Sequence, residues 1–314
     1  MARVFVTRKL PGTALDRLKA EHEVEVWPER LPPRPGDLRA RMPDIEGLLS
    51  ILTDKIHDEL LDAAPNLRAI SNYAVGVDNI DVEAVTKRGL PLGNTPDVLT
   101  EATADLAVAL MLAISRRLSE GEALVHRGDW LTWEPTLLLG RDLHDSTVGI
   151  VGMGRIGRAV QRRVEGFGAR VLYTDVTGGV PLEQLLEESD FVTIHSPLTE
   201  ETHGLINDET LAMMKPTAYL VNSARGPIVD TPALIRALNA GQIAGAALDV
   251  TDPEPLSGGH VLLSAPNLLV VPHIGSATHA TREAMADMAV DNLLAALRGD
   301  RMPHCVNPEV YGPS

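Results

Sequence analysis

The sequence predicts an α/β protein with two domains, and three observations support this prediction. Short β-rich runs alternate with helical patterns along the whole chain, which is typical of parallel sheets covered by helices. The 314 residues are more than one ordinary hydrophobic core accommodates. In the middle of the chain, a glycine-rich turn at Gly152 joins a strand-like run to a helical stretch.

Hydrophobic periodicity places the individual elements. Strands are predicted at residues 3–7, 23–27, 47–52, 67–71, 147–151, 169–174, 191–195, 218–221, 244–249 and 268–271. Helices are predicted at residues 14–21, 55–64, 207–213, 232–240 and 281–298, and after the glycine turn. Residues 28–43 contain Pro32-Pro33 and Pro35-Gly36, so we expect a surface loop there.

One long helix is predicted from Thr100 to Arg127, with Thr100 as its N-cap. The loop that follows contains Trp130 and Trp133 and ends near Gly140. Aromatic residues make up only 3% of the chain, so two tryptophans this close together indicate a packed anchor or an interface. Ordinary core packing is an equal alternative.

The glycine turn has the spacing of a dinucleotide-binding unit. The run Gly152-Met153-Gly154-Arg155-Ile156-Gly157 follows a buried strand, and the next strand ends at Asp175. In such a unit Gly152 permits the tight turn, Gly154 lets the backbone approach a pyrophosphate, and Gly157 lets helix and strand pack closely. A plain structural turn would explain the glycines alone. The strand before the turn, the helix after it and the acid about twenty residues further on favour a dinucleotide-binding site.

Asp175 indicates which dinucleotide is bound. Its carboxylate can accept hydrogen bonds from an adenosine ribose and would repel a 2′-phosphate. The following residues, 176–179, contain no arginine or lysine. NAD is therefore predicted as the cofactor, and NADP is less favoured.

Composition excludes several other classes of protein. The formal charge of −15 argues against nucleic acid or an anionic membrane as a partner. No apolar run reaches the roughly 18 residues of a membrane span, and no targeting segment precedes the first strand, so a cytoplasmic protein is expected. Cys305 is the only cysteine. Neither a disulfide framework nor a thiolate metal cluster is therefore predicted, and no metal site is expected.

Three stretches place ionisable groups where predicted strands end: residues 221–226 with Arg225, residues 248–255 with Glu254, and residues 271–278 with His273. An arginine, a carboxylate and a histidine at one rim of a sheet can bind an anion, tune a base and move a proton. Each stretch alone could be an ordinary solvent-exposed surface with charged residues. The occurrence of all three at predicted strand ends favours a functional site.

Residues 72–81 and 94–100 are similar to segments of the D-isomer-specific 2-hydroxyacid dehydrogenase family, in its glyoxylate and hydroxypyruvate reductase branch. The resemblance covers essentially the whole chain. It implies two Rossmann-like or flavodoxin-like domains with parallel sheets. An NAD-binding domain, residues 99–280, would be inserted into a substrate-binding domain formed by residues 1–98 and 281–314.

The resemblance also implies an activity: reduction of a small 2-keto acid, glyoxylate or hydroxypyruvate, by NADH. His273 would protonate the carbonyl oxygen, and Glu254 would hydrogen-bond and tune the imidazole. Arg225 would polarise the carbonyl and pair with the substrate carboxylate. Backbone amides around Val75 and Gly76 would hold that carboxylate.

For the cofactor, the resemblance places Arg155 and Ile156 at the pyrophosphate and Asp249 on the nicotinamide side. The implied cofactor-binding set is Val75, Thr103, Gly152, Gly154, Arg155, Ile156, Gly157, Asp175, His195, Pro197, Thr202, Ser223, Ala224, Arg225, Asp249, His273 and Gly275. His195 could instead be a structural histidine at a strand end, and Thr103 could bond to its own helix. A homodimer is implied through the helix 100–127 and the Trp130 and Trp133 loop.

One departure and several alternatives remain. Only residues 176–180 separate Asp175 from the segment 181–185, where relatives carry a longer connection with another short strand, so a more open adenine side is expected.

Alternative functions are another 2-hydroxyacid specificity (3-phosphoglycerate or lactate), phosphite oxidation, or more remotely an NAD-sensing corepressor. Formate oxidation is disfavoured, because formate enzymes carry glutamine at the position of Glu254.

Overall fold

The computed structural model describes residues 1–312 and divides the chain into two compact units. Unit 1 consists of Met1–Leu99 and the chain from Ala277 onward, and unit 2 consists of Thr100–Ser276. Each unit contains one sheet covered by helices, which confirms the predicted α/β class. The domain roles predicted for residues 1–98 with 281–314 and for residues 99–280 remain predictions. Pro313 and Ser314 lie outside the described residues.

The elements have the following bounds. The strands are β1 Arg3–Val6, β2 Glu23–Val26, β3 Gly47–Ile51, β4 Ala69–Tyr73, β5 Leu92–Gly93, β6 Thr147–Val151, β7 Arg170–Asp175, β8 Gly178–Gly179, β9 Phe191–Ile194, β10 Tyr219–Asn222, β11 Gly245–Leu248 and β12 Leu268–Val270. The helices are α1 Ala14–Glu21, α2 Pro35–Arg41, α3 Asp58–Asp62, α4 Val82–Lys87, α5 Thr100–Ser115, α6 Leu118–His126, α7 Arg155–Gly166, α8 Leu182–Glu188, α9 Asp208–Met213, α10 Thr231–Asn239 and α11 His279–Arg298.

Unit 1 is a five-stranded parallel sheet in the order β2-β1-β3-β4-β5. Helices α1 and α11 contribute to one core cluster, and helices α2, α3 and α4 contribute to another. The strands β3 and β4 are almost wholly buried, as expected for parallel strands between two helical layers. The loops after β3, β4 and β5 therefore leave the sheet at the same edge.

Unit 2 is a seven-stranded sheet in the order β12-β11-β10-β9-β6-β7-β8, parallel except for β8. Helices α5 and α7 contribute to one core cluster, and α8, α9 and α10 contribute to another. The direction of winding changes between β6 and β9. In doubly wound sheets ligands bind outside the carboxyl ends of the strands at such a point. The glycine turn, which follows β6, lies there.

The backbone of the glycine turn is tightly packed. Gly152 has a φ of +94°, a conformation that favours glycine. A Cβ at Gly157 would overlap the carbonyl oxygen of Gly152 and lie 3.3 Å from Ile150 Cγ2. Gly154 is the N-cap of α7 and contributes no side chain to it. The first-turn amides of α7 are therefore left for a ligand.

Two predictions about helices are wrong. The predicted helix 100–127 is two helices, α5 and α6. The amide of Arg141 donates a hydrogen bond to the carbonyl of Ser115 at 3.0 Å, so this carbonyl is paired outside the helix. Arg117 adopts a left-handed φ of +54°, which interrupts the helical backbone. The first of these helices starts with Thr100 as a helical residue, not as a cap. The predicted loop 28–43 contains α2, which Pro35 begins, since proline suits the first turn of a helix.

The other predicted strands and helices are present, with ends displaced by at most three residues. Besides α2, four helices and strands were not predicted: α4, α8, β5 and β8. The short connection after Asp175 does form another strand, since β8 pairs antiparallel with the end of β7. Both residues of β8 are glycines with positive φ, of 143° and 106°. No helix among residues 1–312 is long and apolar enough to cross a membrane.

We expect Gly157→Ala to lower the free energy of unfolding by about 1–3 kcal/mol, because the added methyl group would overlap the Gly152 carbonyl. Gly166→Ala is the matched control in the same helix, because a Cβ there meets no heavy atom within 4 Å. Alanine's helix propensity should stabilise that variant by up to about 1 kcal/mol. Urea unfolding followed by circular dichroism measures both variants. Equal changes would contradict the close packing of helix and turn.

Candidate active site

The candidate catalytic residues follow three neighbouring strands of unit 2. The strands β10, β11 and β12 are paired in register, so that Asn222 lies beside Leu248, and Leu248 beside Val270. The loops that leave these strands contain Arg225, Glu254 and His273 respectively. Because parallel strands end at one edge of the sheet, the three loops emerge side by side.

Glu254 and His273 are in direct contact. The imidazole Nδ1 of His273 lies 2.6 Å from Oε1 of Glu254, and both side chains are about two-thirds buried, with exposed fractions of 28% and 33%. A carboxylate in its ionised form can only accept a hydrogen bond, and its partner Nδ1 is then the donor. The contact fixes the ring and leaves Nε2 as the nitrogen that can exchange a proton with a reactant.

The backbone at His273 is held in an uncommon conformation by Asp249. His273 has a φ of +52°, which costs a non-glycine residue about 1 kcal/mol or more. Its amide donates to the Asp249 carbonyl at 2.8 Å. The amides of Ile274 and Gly275 donate to the two carboxylate oxygens of Asp249 at 2.6 and 2.8 Å. Three consecutive amides are thus anchored to one buried residue.

Burial raises the pKa of the Asp249 carboxyl above its usual value, against the lowering effect of the Ile274 amide, His273 and the Gly275 amide. The resemblance implied a contact between Asp249 and the nicotinamide. The structure shows a second task, the support of the segment that contains His273. In the sequence, Asp249 is visible only as an acid directly after a buried strand. This position does not show that its hydrogen-bond partners are the amides of residues 274 and 275.

Arg225 is held through a buried asparagine that the sequence analysis did not single out. The side-chain Nδ2 of Asn222 donates to the carbonyl of Arg225 at 2.8 Å, and its Oδ1 accepts from the amide of Ala224 at 3.0 Å. The guanidinium of Arg225 donates to the carbonyl of Ala224 at 2.9 Å. A half-buried arginine in this loop can bind a carboxylate with its planar fork.

Asp175 lies against the glycine turn. Its Oδ2 accepts from the amide of Met153 at 2.8 Å, and its Oδ1 accepts from the amide and hydroxyl of Thr177 at 2.9 and 2.7 Å. The hydroxyl and amide of Thr177 and the Met153 amide lower the pKa of Asp175 below its usual value, and Arg158 acts in the same direction. The carboxylate is therefore ionised. Arg158 is a nearby cation on α7 that the sequence analysis missed.

Buried polar atoms beside the glycine turn fit a dinucleotide. Among residues 1–312, His195 Nδ1, Ser196 Oγ and Ser223 Oγ are buried without a hydrogen-bond partner. Burial lowers the pKa of His195 to about 4, so its ring is neutral near pH 7. Its Nε2 lies 2.9 Å from the Thr193 hydroxyl. Buried polar atoms are normally paired, so a bound polar ligand would satisfy atoms such as these.

The remaining predicted cofactor residues are distributed along the same unit, apart from Val75. Thr103 is buried on α5, and its side chain lies 3.4 Å from where a Cβ of Gly275 would be. The hydroxyl of Thr202 donates to the carbonyl of Pro197 at 2.7 Å and so holds its own loop. Residues 155 and 156 form the first turn of α7. Val75 and Gly76 follow β4 in unit 1.

Among residues 1–312, no group of three or more histidine, cysteine, aspartate or glutamate side chains could hold a metal ion. The loops after β10, β11 and β12 contain an arginine and a histidine paired with a carboxylate. Such groups can bind an organic anion and transfer a proton.

The chain is similar to curated proteins over almost its full length. It is 48% identical over 320 residues to the glyoxylate reductase of Korarchaeum cryptofilum, with 98% of this chain and 96% of the relative covered. It is also 48% identical to the glyoxylate reductase of Thermococcus kodakarensis, with 98% and 97% covered.

Solved structures are similar as well. A protein of Thermus thermophilus has a TM-score of 0.92 at 51% identity, with 97% of this chain and 99% of that chain covered. An NADPH-dependent glyoxylate/hydroxypyruvate reductase from Sinorhizobium meliloti, in complex with NADP and malonate, has a TM-score of 0.86 at 34% identity, with 98% and 97% covered.

Residues 108–275 match the family model of the D-isomer specific 2-hydroxyacid dehydrogenase NAD-binding domain. The matched residues contain the glycine turn, Asp175, Arg225, Glu254 and His273. This match and the full-length relatives show that the chain belongs to the D-isomer specific 2-hydroxyacid dehydrogenase family.

Proposed function

We propose that the protein reduces glyoxylate or hydroxypyruvate to the 2-hydroxy acid with NADH. The observation that supports this most directly is the hydrogen bond between His273 and Glu254, at 2.6 Å, on the sheet edge that also carries the glycine turn. The proteins that are 48% identical to this chain and named glyoxylate reductase support the substrate class. Unit 2 is the proposed NAD-binding domain, and unit 1 the proposed substrate-binding domain.

In the proposed reaction, bound NADH supplies a hydride to the carbonyl carbon of the 2-keto acid. His273 donates a proton from Nε2 to the carbonyl oxygen, which becomes the new hydroxyl group. Glu254 keeps the proton on Nδ1 in place, and its negative charge stabilises the imidazolium before transfer. After the transfer, the neutral imidazole still donates from Nδ1 to Glu254.

Arg225 has the chemistry required for the substrate. Its guanidinium can pair with the substrate carboxylate and draw electron density from the carbonyl oxygen, which makes the carbonyl carbon a better hydride acceptor. The protein carries a formal charge of −15, so an anionic substrate needs this local positive charge. Backbone amides of the loop with Val75 and Gly76 are also proposed to bind the substrate carboxylate.

We propose NAD, and not NADP, as the preferred nicotinamide cofactor. Asp175 is ionised beside the glycine turn, where a 2′-phosphate would meet its negative charge. The shortened connection after Asp175 contributes no cation, and the exposed Val176 cannot bind a phosphate. Arg158 is a cation that acts on Asp175. It is partly neutralised as long as Asp175 is present.

We propose a homodimer in which α6 and the loop after it are buried. Among the described residues, α6 has none that is buried. Leu131 and Trp133 in the loop are 89% and 78% exposed, and Leu118, Val125, Trp130 and Leu139 are also exposed. A helix without a buried face beside a row of exposed apolar side chains indicates a protein interface.

The wild-type protein should oxidise NADH with glyoxylate or hydroxypyruvate, and His273→Ala should lower kcat/KM by about 10²–10⁴ because the proton donor is lost. NADH binding, measured by fluorescence titration, should be unchanged. His144→Ala is the control, since that histidine is exposed and precedes β6, at the opposite edge of the sheet. Full activity of His273→Ala would refute its role. No turnover by the wild type with any small 2-keto acid would refute the function.

Asp175→Ala should shift the ratio of kcat/KM for NADH over NADPH toward NADPH by at least about tenfold, because a like charge is removed from the 2′-phosphate. Arg158 should then be free to attract that phosphate, so the double variant Asp175→Ala/Arg158→Ala should lose part of the gain. Steady-state kinetics with both cofactors at saturating glyoxylate measure the ratios. An unchanged ratio in Asp175→Ala would contradict the selectivity.

Leu131→Glu should convert the dimer to a monomer, because a charge would be buried at the proposed interface. Light scattering after size-exclusion chromatography measures the mass. Leu31→Glu is the matched control, since Leu31 is 75% exposed but lies in unit 1, away from α6 in sequence. The proposal fails if the wild type is a monomer, or if both variants stay dimeric.

A further inference from the structure

The loop after β4 in unit 1 is held by two side-chain amides. Nδ2 of Asn94 donates to the carbonyl of Val75 at 2.8 Å, and Nδ2 of Asn72 donates to the carbonyl of Gly76 at 3.1 Å. Asn72 is the fourth residue of β4, and Asn94 directly follows β5. Two successive carbonyls of one loop are thus fixed from two neighbouring strands.

The direction of these carbonyls determines the direction of the next two amides. In a trans peptide unit, the C=O and N–H groups point in opposite directions. With the carbonyls of Val75 and Gly76 turned to the asparagines, the N–H groups of Gly76 and Val77 point away from them. Neither N–H makes a hydrogen bond within residues 1–312, and the same holds for the N–H of Val75. Two adjacent unpaired amides with this orientation form a binding site for an anion.

Asn72 is itself fixed on its other side. It is fully buried and lies opposite Ser50 in the pairing of β3 with β4. The hydroxyl of Ser50 donates to Oδ1 of Asn72 at 3.0 Å, which sets the amide so that Nδ2 faces the loop. Nδ2 also lies 3.2 Å from Oδ1 of Asn79, further along the loop. The side chain therefore has one orientation that satisfies all its partners.

The loop is anchored at two further points. Nδ2 of Asn79 donates to the carbonyls of Ile51 and Asp54 at 3.2 and 2.8 Å, which ties the loop end to the loop after β3. On the other side, Asn292 of α11 donates to the backbone carbonyl of Asn94 at 2.9 Å. Both asparagines that hold the loop are therefore placed by the sheet and its helix, and not by the loop itself.

We propose that Asn72 and Asn94 are positioning residues that direct the Gly76 and Val77 amides toward the substrate carboxylate. This inference rests on the proposed function. It also extends the expectation from the sequence, since the Val77 amide is a further unpaired donor beside the amides of Val75 and Gly76. Asparagine is required for chemical reasons. An aspartate in either place would direct a negative charge at a carbonyl oxygen and close to the bound anion.

Asn94→Ala is the primary test, because Asn94 is only half-buried. We expect the dissociation constant of oxamate, an unreactive glyoxylate analogue, to rise by about tenfold or more in the presence of NADH, since a charge-assisted hydrogen bond is weakened. The ratio of kcat/KM for glyoxylate over its methyl ester should fall as well. NADH affinity should stay the same. Calorimetry and steady-state kinetics measure these quantities.

Asn66→Ala is the matched control, because Asn66 also donates from Nδ2 to a backbone carbonyl at 2.8 Å in unit 1, that of Pro43. It should change neither oxamate binding nor the ester ratio. Asn94→Asp is the second variant if Asn94→Ala does not fold. It keeps the side-chain volume, loses the donor and should show the same defect.

The outcomes separate the inference from the proposed function. Unchanged oxamate binding and an unchanged ester ratio in a folded Asn94 variant would overturn the inference while the function stands. A wild type that binds oxamate but reduces no 2-keto acid would overturn the function. Weaker oxamate binding in the Asn94 variants would then still support the inference. A wild type that neither binds oxamate nor reduces a 2-keto acid would overturn both.

Discussion

Parallel strand pairing is the constraint on which the arrangement of the candidate functional groups depends. In both sheets the strands that precede functional loops are paired in register and run in one direction, so their loops leave at one edge. Residues far apart in sequence, such as Arg225 and His273, therefore enter from strands β10 and β12, which both pair with β11. The helices on both faces bury these strands and make the register hard to change, since a shift by one residue would expose the core face.

Buried polar side chains at or next to the strand ends hold the loops in place through hydrogen bonds to the loop backbone. Asn222 fixes the loop with Arg225, Asp249 fixes the turn with His273, and Asn72 fixes the loop after β4. Each satisfies backbone groups that would otherwise be unpaired inside the protein. The loops that contain Arg225 and His273 are thereby held by hydrogen bonds between buried side chains and the backbone.

Charge is distributed in keeping with a small anionic substrate. The chain as a whole is acidic, while the candidate catalytic edge combines one arginine with a histidine and its carboxylate. Asp175 stays ionised because neighbouring donors stabilise its charge. On the surface of unit 2, α6 has no buried residue and the loop after it exposes large apolar side chains.

The sequence by itself determined the α/β class, most strands and the glycine turn, because these depend on local periodicity and on residues close together in the chain. It also singled out Arg225, Glu254 and His273, because the type of each residue by itself indicates anion binding or proton transfer. The break between α5 and α6, the helix within residues 28–43 and the supporting roles of Asn222, Asp249, Asn72 and Asn94 were decided only by the tertiary structure. The helix break and the roles of Asp249 and Asn94 depend on hydrogen bonds between distant segments, such as that of the Arg141 amide to Ser115. The hydrogen bonds of Asn222 and Asn72 depend on how their buried side chains are turned. Neither leaves a periodic signal in the chain.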